Sequence, residues 1–151
     1  MKNILVLCIG NICRSPMAAA LLSRALPGMT IHSAGLDAVM GAPADALSVA
    51  LMDEAGLDIT SHRGQQVSTP LVIHADLILV MDRAQQQEVH RRYPTSAGKV
   101  FCIGEHERVD IPDPYRQPRS SFEHALRLIE QSVDSWVPAI RALYQPNAEQ
   151  S

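Results

Sequence analysis

The segment CIGNICRS, residues 8–15, places a cysteine directly after the apolar run ILVL and an arginine six positions later, just before PMAAALLSRAL. A cysteine is an effective nucleophile as the thiolate. Keeping a thiol mostly ionised at neutral pH takes on the order of 3 kcal/mol of selective stabilisation, of which one helix N-terminus supplies about 1 to 2 kcal/mol. The remainder is expected from Arg14, from the amides of the loop and from the hydroxyl of Ser15. A guanidinium also matches two equatorial oxygens of a phosphoryl group under in-line attack. The residue types therefore point to Cys8 attacking phosphorus. Arg14 and the loop Ile9, Gly10, Asn11, Ile12 and Cys13 would hold the phosphoryl group, with Ser15 donating to the sulfur.

Such a constellation needs a strand before it and a helix after it. KNILVLC, rich in Ile, Leu and Val, reads as a strand buried on both faces. SPMAAALLSRALP reads as the helix, with Ser15 as N-cap, Pro16 at the first helical position and Pro27-Gly28 as its end. Gly10 and Asn11 tolerate left-handed dihedrals, so the intervening amides can curl into a nest for an anion. The pattern then alternates. TIHSAG is a second strand, ADALSVALMDEAG a helix closing at Gly56, ADLILVMD a strand, RAQQQEVHRRYP a helix and GKVFCIG a fourth strand. After the turn-rich EHERVDIPDPYRQPRSS comes a long helical tract, SFEHALRLIEQSVDSWVPAIRALY, in which Pro138 is expected to kink the helix or mark its last turns. The tail, residues 145–151, is expected to fray. Strands alternating with helices predict an α/β fold, a doubly wound four-stranded parallel sheet with helices on both faces, and a ligand crevice at the carboxyl ends of its strands.

Composition bounds the alternatives. A chain of 151 residues suits one domain, residues 1–151, and is long enough to bury roughly two thirds of its unfolded surface. With 46% hydrophobic and 19% charged residues, neither disorder nor a fibrous repeat is in play. A net charge of −3 argues against a nucleic-acid or anionic-membrane surface, so any anion must be captured locally. No apolar stretch approaches the roughly 18 residues of a spanning helix and no small-residue cleavage site follows the first strand, so a cytoplasmic protein without membrane insertion is expected. Three cysteines, an odd number, read as free thiols. The histidines show no metal-ligand spacing, and neither metal nor cofactor is expected.

A cysteine and an arginine at this spacing recur by accident, and cysteine is often simply buried. The flanking strand, the Gly-Asn pair and the Ser-Pro helix start together make the signal specific. CIGNICRSPMAAALL resembles the low-molecular-weight protein tyrosine phosphatases, whose signature is Cys-x5-Arg-Ser near the N-terminus, and the resemblance extends through HSAGL, SHRGQQV, ADLILVMDRA and IPDPYRQP. It implies a four-stranded parallel sheet, a metal-free reaction and a cysteinyl-phosphate intermediate. Position by position it implies Cys8 as nucleophile, Arg14 as phosphate clamp and Ser15 as support for the sulfur. It also implies Asp113 of the DPY turn as general acid, stiffened by Pro112 and Pro114; periodicity alone leaves Asp113 and Asp110 open. Asn11, Ser33 and His62 match a polar network that holds the loop. Tyr115 matches an aromatic wall, Asp82 a structural position, and Cys13 a second loop thiol able to close a reversible disulfide with oxidised Cys8.

Three positions depart from the family pattern. Val39 stands where an aromatic rim residue is frequent, Gln65-Gln66 where an Arg-Gln pair is, and Arg116 where the acid turn carries a second aromatic. An aliphatic rim with DPYR resembles the bacterial branch associated with tyrosine kinases of exopolysaccharide or capsule export. The implied partner is a phosphotyrosine protein, a bacterial tyrosine autokinase among the candidates, met by a monomer or weak dimer. Arg116 is then either an attractor of acidic phosphotyrosine tails or a solvated loop charge. The alternative is a thiol-dependent arsenate reductase on the same scaffold. That chemistry relays oxidation through two further cysteines after the third strand, where LVMDRAQQQEVHRRYP has none.

Overall fold

The aliphatic runs become the strands of one parallel sheet in a computed structural model that describes residues 3–144. They are β1 (Asn3–Cys8), β2 (Thr30–Gly35), β3 (Leu77–Val80) and β4 (Val100–Cys102), in the order β2-β1-β3-β4. Cys8 sits opposite Gly35 and Ile4 opposite Leu77. The helices are α1 (Arg14–Ala25), α2 (Ala46–Glu54), α3 (Thr69–His74), α4 (Arg83–Arg92) and α5 (Arg119–Tyr144), with a 3₁₀ turn at Pro94–Lys99. The expected doubly wound sheet is the fold observed.

The pleat sorts β1 between two cores, because successive side chains point to opposite faces. Ile4 and Val6 join α1, α2 and α5, with Met17, Leu22, Met52, Phe122, Ile129 and Ile140 buried among them. Leu5 and Leu7 face α3 and α4, against Val72 and Val89. Burying both faces of β1 leaves its carboxyl end as the exit for the chain, and the first loop sits there.

Local chemistry explains most helix ends. Asp45 caps α2 by accepting from Leu47 N at 2.9 Å, and Gly56, with φ of +80°, ends that helix in the left-handed conformation glycine adopts without strain. Asp82 caps α4 through Gln85 N at 2.8 Å.

Two local expectations are corrected, and one helix was not foreseen. Ser15 is not the N-cap of α1: Cys13 occupies that position without a side-chain cap, and Ser15 lies in the first turn with its hydroxyl committed elsewhere. Of Gly10 and Asn11, only Asn11 is left-handed, with φ of 60°. α3 was not anticipated, because six residues are too few for a periodic signal; Ser68 as cap and Pro70 at the start were its only local marks. α5 continues for six residues beyond Pro138, which therefore lies within the last two turns of Arg119–Tyr144, one of the two places expected for it. Pro138 and Asp134, whose carbonyl it would strand, are both exposed, so water can take the lost bond. The expected fraying of residues 145–151 lies outside the described residues. No helix among the described residues is long and apolar enough to cross a membrane.

Candidate active site

The loop between β1 and α1 takes its shape from the segment that follows β2. The carbonyls of Cys8, Ile9 and Gly10 accept from the amides of Leu36, Asp37 and Val39 at 2.9, 3.0 and 2.9 Å. In a trans peptide the C=O and the following N–H point in opposite directions. With those carbonyls turned outward, the N–H groups of Ile9, Gly10 and Asn11 face the concave side, and Asn11 N lies 3.3 Å from Cys8 Sγ. Gly35 permits the close approach: a Cβ there would stand 2.5 Å from the Ile9 carbonyl oxygen.

Asn11 is the hub of the loop and is wholly buried. Its Oδ1 accepts from Gln65 N at 2.9 Å, which fixes the orientation of the amide. Its Nδ2 donates to Ser15 Oγ at 2.8 Å and to Ser33 Oγ at 3.1 Å, and its carbonyl meets His62 Nε2 at 2.6 Å. Because Nδ2 is only a donor, Ser15 Oγ is the acceptor in that pair and its own proton is free for Cys8 Sγ, 3.0 Å away. The Ser15 hydroxyl that was expected to cap the helix therefore serves the sulfur.

Arg14, 2% exposed, is held from the opposite side of the cleft. Its Nη1 donates to the Ile111 carbonyl at 2.7 Å and lies 3.6 Å from Asp82 Oδ2, while Nη2 lies 3.8 Å from Asp113 Oδ2. Asp82 thus caps a helix and faces Arg14 with its other oxygen. Between the two open carboxylates, Asp113 is the one on the cleft. Its Oδ1 accepts from Tyr115 N at 3.1 Å, and its side chain is half exposed. Asp110 accepts from Arg83 N at 3.3 Å and lines a different cavity.

The cleft encloses about 160 Å³ between Cys8, Ile9, Gly10, Ile12, Cys13, Arg14, Asp37, Val39, Asp113 and Tyr115. Cys8 is 3% exposed at its floor, whereas Ile9, Val39 and Tyr115 stand 42–46% exposed at its rim. Ser33 and His62 lie behind the loop, not in the cleft. Arg116, expected at the cleft, does not line it; its guanidinium stacks over the Tyr115 ring at 5.2 Å. Asp37 was missed, since nothing local distinguishes it in GLDAV. So was the amide of Gln65, a backbone group without a sequence signature.

Burial pushes the Cys13 thiol up to about 12, with the charges of Asp45, Cys8 and Asp113 adding to the effect and Arg14 opposing it. Cys13 is therefore a neutral thiol near pH 7. Cys102 is pushed up to about 11, again chiefly by burial and then by Asp110 and Glu105. All three cysteines are free. Among the described residues no three His, Cys, Asp or Glu side chains are grouped to hold a metal ion.

A parallel α/β sheet with this loop at the end of its first strand matches a known family along nearly all its length. Residues 3–146 match the family model for the low molecular weight phosphotyrosine protein phosphatases, and the chain belongs to that family; it is a protein-tyrosine-phosphatase. It is 56% identical over 142 residues to the probable low molecular weight protein-tyrosine-phosphatase EpsP of Ralstonia nicotianae, covering 94% of this chain and 98% of that one. The corresponding figures for the protein-tyrosine-phosphatase Wzb of Escherichia coli K12 are 39% identity over 142 residues, with 93% and 97% covered. Among solved structures, Vibrio vulnificus Wzb in complex with benzylphosphonate superposes with a TM-score of 0.88 at 37% identity, covering 91% of this chain and 98% of that one.

Proposed function

We propose that Cys8 attacks the phosphorus of a phosphotyrosyl side chain while Arg14 and the inward-facing amides hold the equatorial oxygens. The S–P bond forms as the bond from phosphorus to the phenolic oxygen breaks, and Asp113 gives its proton to the departing phenolate. Water then attacks the cysteinyl-phosphate, Asp113 takes a proton from it, and the sulfur leaves with support from the Ser15 hydroxyl and Asn11 N–H. The observation that carries this reading is the floor of the cleft, where Cys8 Sγ lies 3.0 Å from Ser15 Oγ and 3.3 Å from Asn11 N, with buried Arg14 lining the same cleft and half-exposed Asp113 lying 3.8 Å from its guanidinium.

The recessed sulfur sets the substrate class. Reaching it past Ile9, Val39 and Tyr115 requires the length of a phenyl ring between backbone and phosphorus, which phosphotyrosine has and phosphoserine lacks. The similarity to EpsP and Wzb, the aliphatic Val39 and the DPYR turn support a bacterial tyrosine autokinase of polysaccharide export as the cytoplasmic partner of this single domain. Arsenate reduction gains nothing from the structure: Cys102 lines a separate cavity with Arg83, Gln86 and Arg108, away from the cleft thiols.

The test is hydrolysis of a phosphotyrosyl peptide against its phosphoseryl counterpart, followed by capture of phosphotyrosyl proteins with Asp113→Ala. Preference for the phosphotyrosyl peptide and recovery of a phosphorylated tyrosine kinase are the expected results. Equal turnover of both peptides would overturn the substrate class.

A further inference from the structure

We infer that Gln66 is a positioning residue for phosphoryl binding, acting from outside the cleft by locking the segment that shapes the loop; the inference rests on the function proposed above. Segment 36–39 offers four amides. Three of them, from Leu36, Asp37 and Val39, hold the outward carbonyls of Cys8, Ile9 and Gly10. The fourth, Ala38 N, donates to Gln66 Oε1 at 2.9 Å, and Gln66 Nε2 returns a bond to the Leu36 carbonyl at 2.9 Å. One side-chain amide thus grips both ends of a three-residue stretch, in the manner of a β-ladder partner.

The grip is itself anchored. Gly35 N donates to the Gln65 carbonyl and Val67 N to the Gly35 carbonyl, each at 2.9 Å, so the backbone around Gln66 pairs with the last residue of β2 through one parallel bridge. From α4, Arg92 Nη1 donates to the same Leu36 carbonyl at 2.6 Å while its Nε pairs with Glu88 at 2.6 Å. The Leu36 oxygen is therefore filled by two donors, its full lone-pair capacity. Neither Gln66 nor Arg92 lines the cleft. Both fix the peptide planes that aim the N–H groups of Ile9, Gly10 and Asn11 at the anion. An anion nest loses affinity when its amides are free to rotate, because the ordering must then be supplied at binding.

Gln66→Met keeps the side chain's length and removes both bonds; Gln66→Glu keeps the acceptor for Ala38 N–H and removes the donor. The experiment measures the dissociation constant of inorganic phosphate by calorimetry, kcat for p-nitrophenyl phosphate, and Tm for each. Gln66→Met is expected to weaken phosphate binding about five- to tenfold and to lower kcat, with Gln66→Glu recovering part of both. Arg92→Met, on the outer end of the same carbonyl, is expected to act in the same direction to a smaller extent, and carries the test if Gln66→Met fails to fold. Lower Tm with phosphate affinity and kcat unchanged per folded molecule would make Gln66 merely structural and overturn the inference. Wild-type turnover of aryl phosphate alongside that result would leave the proposed function standing; a wild-type chain that bound no phosphate would remove both.

Discussion

Arg14 donates through Nη1 to the carbonyl of Ile111 at 2.7 Å, joining the first loop to the acid turn across 97 positions of sequence. With that nitrogen occupied, the guanidinium is oriented before any ligand arrives, and its Nη2 edge lies toward Asp113. The clamp and the acid are thereby parts of one unit. Five consequences of the site are open to measurement.

Cys8→Ser should abolish hydrolysis of an aryl phosphate, by more than about 10³-fold, because a serine hydroxyl in the same place lacks the nucleophilicity of sulfur. Inorganic phosphate should still bind, since the amides and Arg14 are untouched. Steady-state kinetics and calorimetry on the same preparation decide the matter; appreciable turnover would remove Cys8 as nucleophile.

Asp113→Asn should hurt substrates in proportion to the basicity of the leaving group. Phenyl phosphate should lose on the order of 10²- to 10⁴-fold in kcat/KM, whereas a good leaving group such as p-nitrophenolate should lose much less. Equal losses on both would assign the proton transfer to another group.

Asn11→Ala strands Ser33 Oγ and Gln65 N, both partly buried, leaves Ser15 Oγ with Cys8 Sγ alone, and should cost about 1 to 3 kcal/mol of stability. Asn11→Asp separates folding from catalysis. The carboxylate still accepts from Gln65 N, and the left-handed backbone tolerates Asp. However, the Ser15 hydroxyl must then turn its proton to the new oxygen and away from Cys8. Chemical denaturation should show Asn11→Asp nearer wild type than Asn11→Ala, with kcat depressed in both.

Gly35→Ala places a Cβ 2.5 Å from the Ile9 carbonyl oxygen and 2.9 Å from Ala38 Cα, both of them backbone atoms. Backbone cannot give way as a flexible side chain does, so the segment carrying the loop's carbonyl partners must move. The expected outcome is a loss of about 1 to 3 kcal/mol in stability with a larger proportional loss of phosphate affinity. Denaturation curves paired with phosphate titration check it.

Cys13 sets an alkaline limit. Its folded pKa is raised from 9.0 to about 12, so below about 9 folded and unfolded forms are both protonated and the thiol's contribution is fully present. Between about 9 and 12 the unfolded chain releases a proton that the folded chain retains, and stability falls as pH rises. Cys13→Ala should flatten that decline without abolishing it, because Cys102, raised to about 11, titrates in an overlapping window. Urea midpoints from pH 8 to 11 measure the slope.

The four strands, every helix but α3, the parallel sheet and the candidate loop were legible in the amino-acid sequence. Each rests on short-range signals: uninterrupted Ile, Leu and Val in β1 and β3, the closing Gly56, and a strand-loop-helix junction that brackets Cys8 and Arg14. Local patterning misled where a side chain had competing partners. Ser15 has the composition of an N-cap, yet its hydroxyl lies between Asn11 and the sulfur. α3 escaped because one and a half turns carry no period.

Residue patterning left to tertiary structure which of Asp110 and Asp113 faces Arg14, that the Gln65 amide holds Asn11, and why the loop amides point inward. Asp110 and Asp113 lie three positions apart in one Pro-rich turn, and local propensity treats them alike. The crossover that carries the chain from β4 past the end of β3 brings Ile111 and Asp113 to Arg14 and leaves Asp110 beside Arg83. Gln65 and His62 reach Asn11 across 54 and 51 positions for the same reason. Propensity and capping act within a few residues, whereas the direction of a peptide plane or a carboxylate is set by whatever the sheet order packs beside it.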